Sequence, residues 1–169
     1  MSRAKRPFAI GGEIGWNSLA GLGVQATYHP IPYLAFDGGA GLSQVGLKGG
    51  LRVRANLLTS EWTPVLGVGF IYGSGTMGEK TEAQVEDESV TFQIWRSKYL
   101  QAVVGVNYTS VNGFVFMATG GYAFLLHENV HYLSGSEDAL DTIKPILHGG
   151  VSVAFTFGYA FYTGGQSQP

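Results

Sequence analysis

The residues of this chain best suited to chemistry share one side of an alternating pattern. Glu13, Gln25, Asp37, Lys48, Arg52 and Arg54 each sit between residues of opposite parity that are mostly apolar or glycine, such as Gly12 and Ile14 around Glu13, or Leu51, Val53 and Ala55 around the two arginines. A period of two means β-strand, because successive side chains point to opposite faces of the pleat. A first hairpin centred near Leu19 sets Glu13 opposite Gln25, and a second centred near Ile31 sets Gln25 opposite Asp37. A third, centred between Gln44 and Val45, sets Asp37 opposite Arg52. The result is a polar belt over four strands, with Lys48, Arg54 and His148 nearby. Opposite charges across strands stabilise one another, and buried charges need such partners. Such a belt either packs an interior shut or lines a narrow or gated pore for ions or small solutes.

Other reactive side chains form weaker groups. His131 and Ser134 are three residues apart, and His127, Glu128 and His131 could approach a metal, but both sets fall in a polar segment that reads as a solvated loop. Glu79, Glu82, Glu86, Asp87 and Glu88 form a second such segment. Glycine pairs such as Gly11-Gly12 and Gly49-Gly50 open no expected helix, so they do not cradle a phosphate; within curved strands they make room for long inward side chains. No cofactor, metal or catalytic residue is expected.

The elements that must position the belt are strands. The chain has 169 residues, 26 of them glycine, with 13% aromatic and only 13% charged, well below the roughly 25% charged of ordinary globular proteins. A net charge of −2 gives no basic excess for nucleic acid, and cysteine is absent. No apolar run reaches the roughly 18 residues of a transmembrane helix. The basic start, residues 1–7, lacks the apolar core of a signal peptide, so an exported protein would be present here as its mature form with an added methionine.

Alternation marks strands at about 8–17, 22–29, 33–43, 47–58, 62–75, 90–109, 113–127 and 143–161, with residues 29–32 as a tight turn. The last is the clearest, with Val151, Val153, Phe155, Phe157, Tyr159 and Phe161 on one face and His148, Gly150, Ser152, Ala154, Thr156, Gly158 and Ala160 on the other. These lengths suit a tilted strand that crosses a bilayer. The expected fold is all-β: a single domain over 1–169 forming an eight-stranded antiparallel up-and-down transmembrane β-barrel, apolar outside and polar within. A soluble ligand-binding barrel would face the other way. Turns near 29–32, 59–61 and 110–113 are short, while 77–98 and 127–142 are long and lie at the opposite end. Trp16, Tyr28, Tyr33, Trp62, Tyr99, Tyr108, Phe114 and Phe161, near strand ends, would form interfacial girdles.

In this pattern the chain resembles the small eight-stranded outer-membrane β-barrels of the OmpA/OmpX-like class. Its aromatic ending, Phe155, Phe157, Tyr159 and Phe161, is similar to the C-terminal signal read by the barrel-insertion machinery, although residues 162–169 follow it. The resemblance implies the bacterial outer membrane, contact with membrane lipid or lipopolysaccharide, and a non-catalytic envelope or surface-interaction role through 77–98 and 127–142. It also admits a lipid-modifying enzyme, since lipid A deacylases and palmitoyltransferases use this scaffold. A deacylase-like site needs His-x-Ser, and none of His29, His127, His131 or His148 has serine at that spacing.

Overall fold

The computed structural model describes residues 2–43, 46–75, 81–85, 88–94, 96–126, 130–134 and 149–163. After a short helix α1 (Ser2–Lys5), eight strands close a barrel: β1 (Phe8–Trp16), β2 (Leu22–Ile31), β3 (Leu34–Ser43), β4 (Gly46–Asn56), β5 (Trp62–Gly73), β8 (Ser97–Thr109), β9 (Phe114–Leu125) and β11 (Gly149–Phe161). Each pairs antiparallel with its neighbours, and β1 closes the ring against β11 from Phe8↔Phe161 to Trp16↔Val153. No helix among the described residues is long and apolar enough to cross a membrane.

The expected facing holds. Ile14, Leu22, Val24, Leu51, Val68, Val104 and Val151 lie on the outer surface, each more than half exposed, while Glu13, Gln25, Asp37, Arg52 and Arg54 are each at most 2% exposed. The polarity of a water-soluble protein is thereby inverted. The interior has two unlike walls. Strands β1, β3 and β4 supply the buried charges Glu13, Asp37, Arg52 and Arg54; β5, β8 and β9 supply Val65, Ile71, Val103 and Met117, all buried, together with Gly67, Gly69, Gly105 and Gly121.

Several expectations need correction. The strand expected over 90–109 is divided: β7 (Glu88–Ile94) leaves the barrel and pairs with β6 (Thr81–Val85), while β8 starts at Ser97. The parity of Val90, Phe92 and Ile94 matches that of β8, which is why one continuous strand looked sufficient. The long segments thus contain structure, because β10 (Val130–Ser134) adds to β7 in a three-stranded sheet of order β10-β7-β6. Of the strand expected over 143–161, residues 143–148 lie outside the described residues.

Residues 29–32 are not a tight turn. Strand β2 runs on through His29 and Pro30 to Ile31, and Pro32 and Tyr33 make the turn. The ladder slips between Tyr28 and Ile31, and a proline is tolerated at such a bulge because no ladder donor is required there.

Six of the girdle residues sit at or beside the end that carries the short turns: Tyr28, Tyr33, Trp62, Tyr108, Phe114 and Phe161. Trp62 lies 4.8 Å from Tyr108 between ring centres, Tyr108 lies 6.4 Å from Phe114, and Phe161 lies 6.4 Å from Phe8. Trp16 lies at the far end of β1, toward the long segments, and is 45% exposed. Tyr99 is a correction: it has the parity of buried Gln101 rather than of exposed Leu100, and its ring receives the Lys48 ammonium at 5.9 Å. It belongs to the interior.

Candidate functional site

Asp37 on β3 is the hub of the interior. Arg52 donates from Nε to Asp37 Oδ2 at 2.9 Å, and Arg54 donates from Nε to Oδ2 at 3.0 Å and from Nη2 to Oδ1 at 3.1 Å. Thr27 on β2 adds its hydroxyl to Oδ1 at 2.8 Å. Register explains the convergence: Asp37 stands opposite Thr27 on one side and Arg52 on the other, and Arg54 is one inward position further along β4. Among the described residues these are the only ion pairs, and both lie in the interior.

The network runs beyond the hub in both directions. Arg54 Nη1 donates to Asn56 Oδ1 at 3.0 Å, and Asn56 Nδ2 donates to the Pro32 carbonyl at 3.1 Å. On the other side Gln25 Nε2 donates to Thr27 Oγ1 at 3.3 Å, and Thr156 on β11 donates to Gln25 Oε1 at 3.2 Å. A continuous polar chain therefore crosses the lumen from β11 to the β2–β3 turn. Glycine makes the space for it. Gln25 is paired with Gly11 and Gly39, Lys48 with Gly41 and Gly73, Arg52 with Gly69, and Arg54 with Gly67. A Cβ at Gly67 would stand 3.1 Å from both Arg52 Cδ and Val103 Cγ2, tighter than packing ordinarily allows.

Glu13 is not part of that chain. Its Oε1 accepts from the Ala20 backbone N–H at 2.7 Å, which anchors the β1–β2 turn inside the barrel. Leu19 and Ala20 are fully buried, and Leu19 lies against the backbone at Gly39 and Gly50. Asn17, at φ 48°, and Gly21, at φ 72°, take left-handed conformations that fold the turn inward. The Asn17 carbonyl accepts from Gln101 Nε2 and from Ser152 Oγ, both at 3.0 Å, so β8 and β11 latch the turn across the lumen. Lys48 is within electrostatic range of Glu13.

The other end is closed by the chain's start. Arg3 on α1 is 2% exposed and donates from Nη2 to the Leu58 and Ser60 carbonyls of the β4–β5 turn, each at 2.7 Å. Burial first, and then the Arg54 charge, hold the Arg3 guanidinium below its ordinary pKa. His29 points inward and is 6% exposed, with Arg54, Asp37 and Arg3 within electrostatic range of its ring. Arg6 donates to the Ala160 carbonyl at 2.7 Å and lies 5.7 and 5.6 Å from the Tyr159 and Tyr162 ring centres.

Of the anticipated belt, the structure brings Gln25, Asp37, Arg52 and Arg54 together. Asp37 stands opposite Arg52 as expected, but Glu13 faces Gly23 and Gln25 faces Gly39, each two residues from the anticipated register. The inward β1–β2 turn and the Pro30 bulge account for the two shifts. His148, His127 and Glu128 lie outside the described residues, as do the side chains of His131 and of the acidic run. The described residues hold no cluster of three or more metal-ligating side chains. Thr27, Asn56 and Thr156 complete the network, and inward parity is the signal that finds them. Leu19 carried a different signal, an apolar residue in a short turn. Arg3 lies outside any alternating stretch, so parity is silent about it.

No family model matches the chain, and no curated protein does. Among solved structures the chain is similar to CarO of Acinetobacter baumannii, with 8% identity over 95% of this chain and 100% of that one and a TM-score of 0.50. It is also similar to the N-terminal β-barrel domain of OprF of Pseudomonas aeruginosa, with 11% identity over 90% of this chain and 95% of that one and a TM-score of 0.49. The resemblance to small eight-stranded outer-membrane barrels is therefore one of fold.

Proposed function

We propose that the protein is an integral barrel of the bacterial outer membrane, closed within and non-catalytic, with an envelope-structural or surface-interaction role. One observation carries this reading: a largely apolar outer surface encloses buried charges. Leu51 at 72% exposed, Val151 at 65% and Leu22 at 64% belong in hydrocarbon rather than water. The aromatic ring around the basal end, the end with the short turns, fits the level of lipid headgroups. Membrane lipid and lipopolysaccharide are then the surrounding partners, and the ending from Phe155 to Phe161 is the segment offered to the insertion machinery. A surface partner would meet the three-stranded sheet built from the two long segments.

A narrow pore is the second reading, favoured by Arg52, whose Nη1 and Nη2 are buried in the lumen with no hydrogen-bond partner among the described residues. Single-channel current after insertion into a planar bilayer separates the two readings. The closed barrel is expected to give no steps once insertion is verified. Reproducible steps that change in Arg52→Ala would establish the pore instead.

A further inference from the structure

The outward face of the eight barrel strands carries a single charge. Glu13, Asp37, Lys48, Arg52 and Arg54 all turn inward, and Lys98 alone turns out. Lys98 is the second residue of β8; it is exposed, shares the parity of Leu100, and has the outward Tyr72 as its register partner. Arg96, two residues earlier, is exposed as well. Among the described residues neither cation has a carboxylate within ion-pair distance. Both stand at the end that carries the long segments. A charge on a lipid-facing wall is costly near the midplane. At the interface, lysine and arginine instead lift their heads toward anionic lipid groups.

Below Lys98 the same wall is furrowed. A groove of about 380 Å³ starts at Phe70 and Leu100, the outward pair next below Tyr72 and Lys98. A second groove, of about 490 Å³, continues it toward the basal end past Ala102 and Gly120, and Val53 and Val68 line both. Small residues at outward positions open this space: a Cβ at Gly120 would meet nothing nearer than the Ser152 carbonyl at 4.0 Å. On β5 the furrow runs from Phe70 down to Leu66. Four residues at roughly 3.4 Å each give about 14 Å, close to one leaflet of a ~30 Å hydrocarbon core. The wall thus has the outline of an amphiphile, with two cations at the level of headgroups above an apolar furrow one leaflet long.

We propose that this wall seats a lipopolysaccharide molecule, with a lipid A phosphate on Lys98 and Arg96 and an acyl chain along the furrow over β4, β5 and β8. The proposal rests on the outer-membrane reading above and adds to it a fixed place for the lipid. Charge complementarity selects a phosphate, since both cations lack a carboxylate of their own among the described residues. Lipopolysaccharide is selected over other anionic lipids because the two cations lie at the end with the long segments, which is the external side in that reading.

The test is native mass spectrometry of the full chain, refolded in detergent micelles and titrated with diphosphorylated lipid A, dephosphorylated lipid A or phosphatidylglycerol. Diphosphorylated lipid A is expected to bind most tightly. Lys98→Gln combined with Arg96→Gln should weaken it roughly tenfold, the size expected for two cations at an anionic headgroup. Ala102→Phe fills the furrow and should weaken both forms of lipid A. Equal affinity for the dephosphorylated form, or unchanged affinity in the double variant, would overturn the phosphate contact. Unchanged affinity in Ala102→Phe would overturn the acyl seat, and phosphatidylglycerol bound as tightly as lipid A would overturn the choice of lipid. Insertion into phosphatidylcholine vesicles, read by protection of the strands from protease, checks the membrane reading separately. Failure to insert would sink that reading, whereas insertion without a preference for lipid A would sink only this site. Should the variants fail to refold, the wild-type comparison of the two forms of lipid A decides alone.

Discussion

Asp37 and Arg54 are joined by two hydrogen bonds, Nε to Oδ2 at 3.0 Å and Nη2 to Oδ1 at 3.1 Å, while the same carboxylate also receives Arg52. This fork geometry orients a planar guanidinium more firmly than a single contact would. The pairing links Asp37 to the next inward position of β4 beyond its own register partner, so it ties the strand pair diagonally as well as directly.

Removal of the carboxylate should therefore be severe. In Asp37→Asn, Arg52 and Arg54 lose their shared counterion while both stay buried, and breaking a buried pair in this way costs roughly 3–5 kcal/mol. Urea unfolding in lipid vesicles measures the difference. A loss below about 1 kcal/mol would show that the pair contributes no more than an exposed one.

Glycine at the lumen wall should be as constrained as the charges it accommodates. Gly67→Val places a branched side chain where a Cβ alone already crowds Arg52 Cδ and Val103 Cγ2 at 3.1 Å, at an expected cost of about 1–3 kcal/mol. The same change in an Arg52→Ala background should cost less, because the alanine vacates the space. Additive losses in the double-mutant cycle would mean that the two residues do not share it.

Period-two alternation made the barrel and its facing legible, because burial of one face repeats along every strand. The contact between Asp37 and Arg52 was legible too, since the third hairpin is symmetric about its centre. The first two registers were not. Asn17 and Gly21 draw the β1–β2 turn into the lumen, and Pro30 stays within β2 at a bulge. Neither device changes the alternation that the strands display. Arg3 was illegible for a different reason: its burial depends on where the N-terminal segment docks, a tertiary contact with the β4–β5 turn.

Leu19 gives the inward turn its packing. It is fully buried, against Gly39 and Gly50, and Leu19→Ala should cost about 2–5 kcal/mol by the usual penalty for a cavity. Equilibrium unfolding measures the loss, and hydrogen exchange at the Ala20 amide, which is bonded to Glu13, localises it. Faster exchange at Ala20 with the barrel strands still protected is expected. Unchanged exchange there would show that the Glu13 anchor holds the turn without its apolar contact.

The outer surface offers the most direct test of its surroundings. Leu51 lies at the middle of β4, between Gly38 and Phe70, and is 72% exposed. On a protein bathed by water, Leu51→Arg at such a position would change stability by no more than about 0.5 kcal/mol. In a bilayer the same arginine must leave water for hydrocarbon, and near the midplane that costs roughly 2–4 kcal/mol. Unfolding from lipid vesicles should reveal the larger loss, and Leu22→Arg, near the end of β2, should cost less because its charge reaches the interface. The gradient carries the inference. Equal and negligible effects at both positions would mean that water covers this face, and the apolar surface would then need another protein against it.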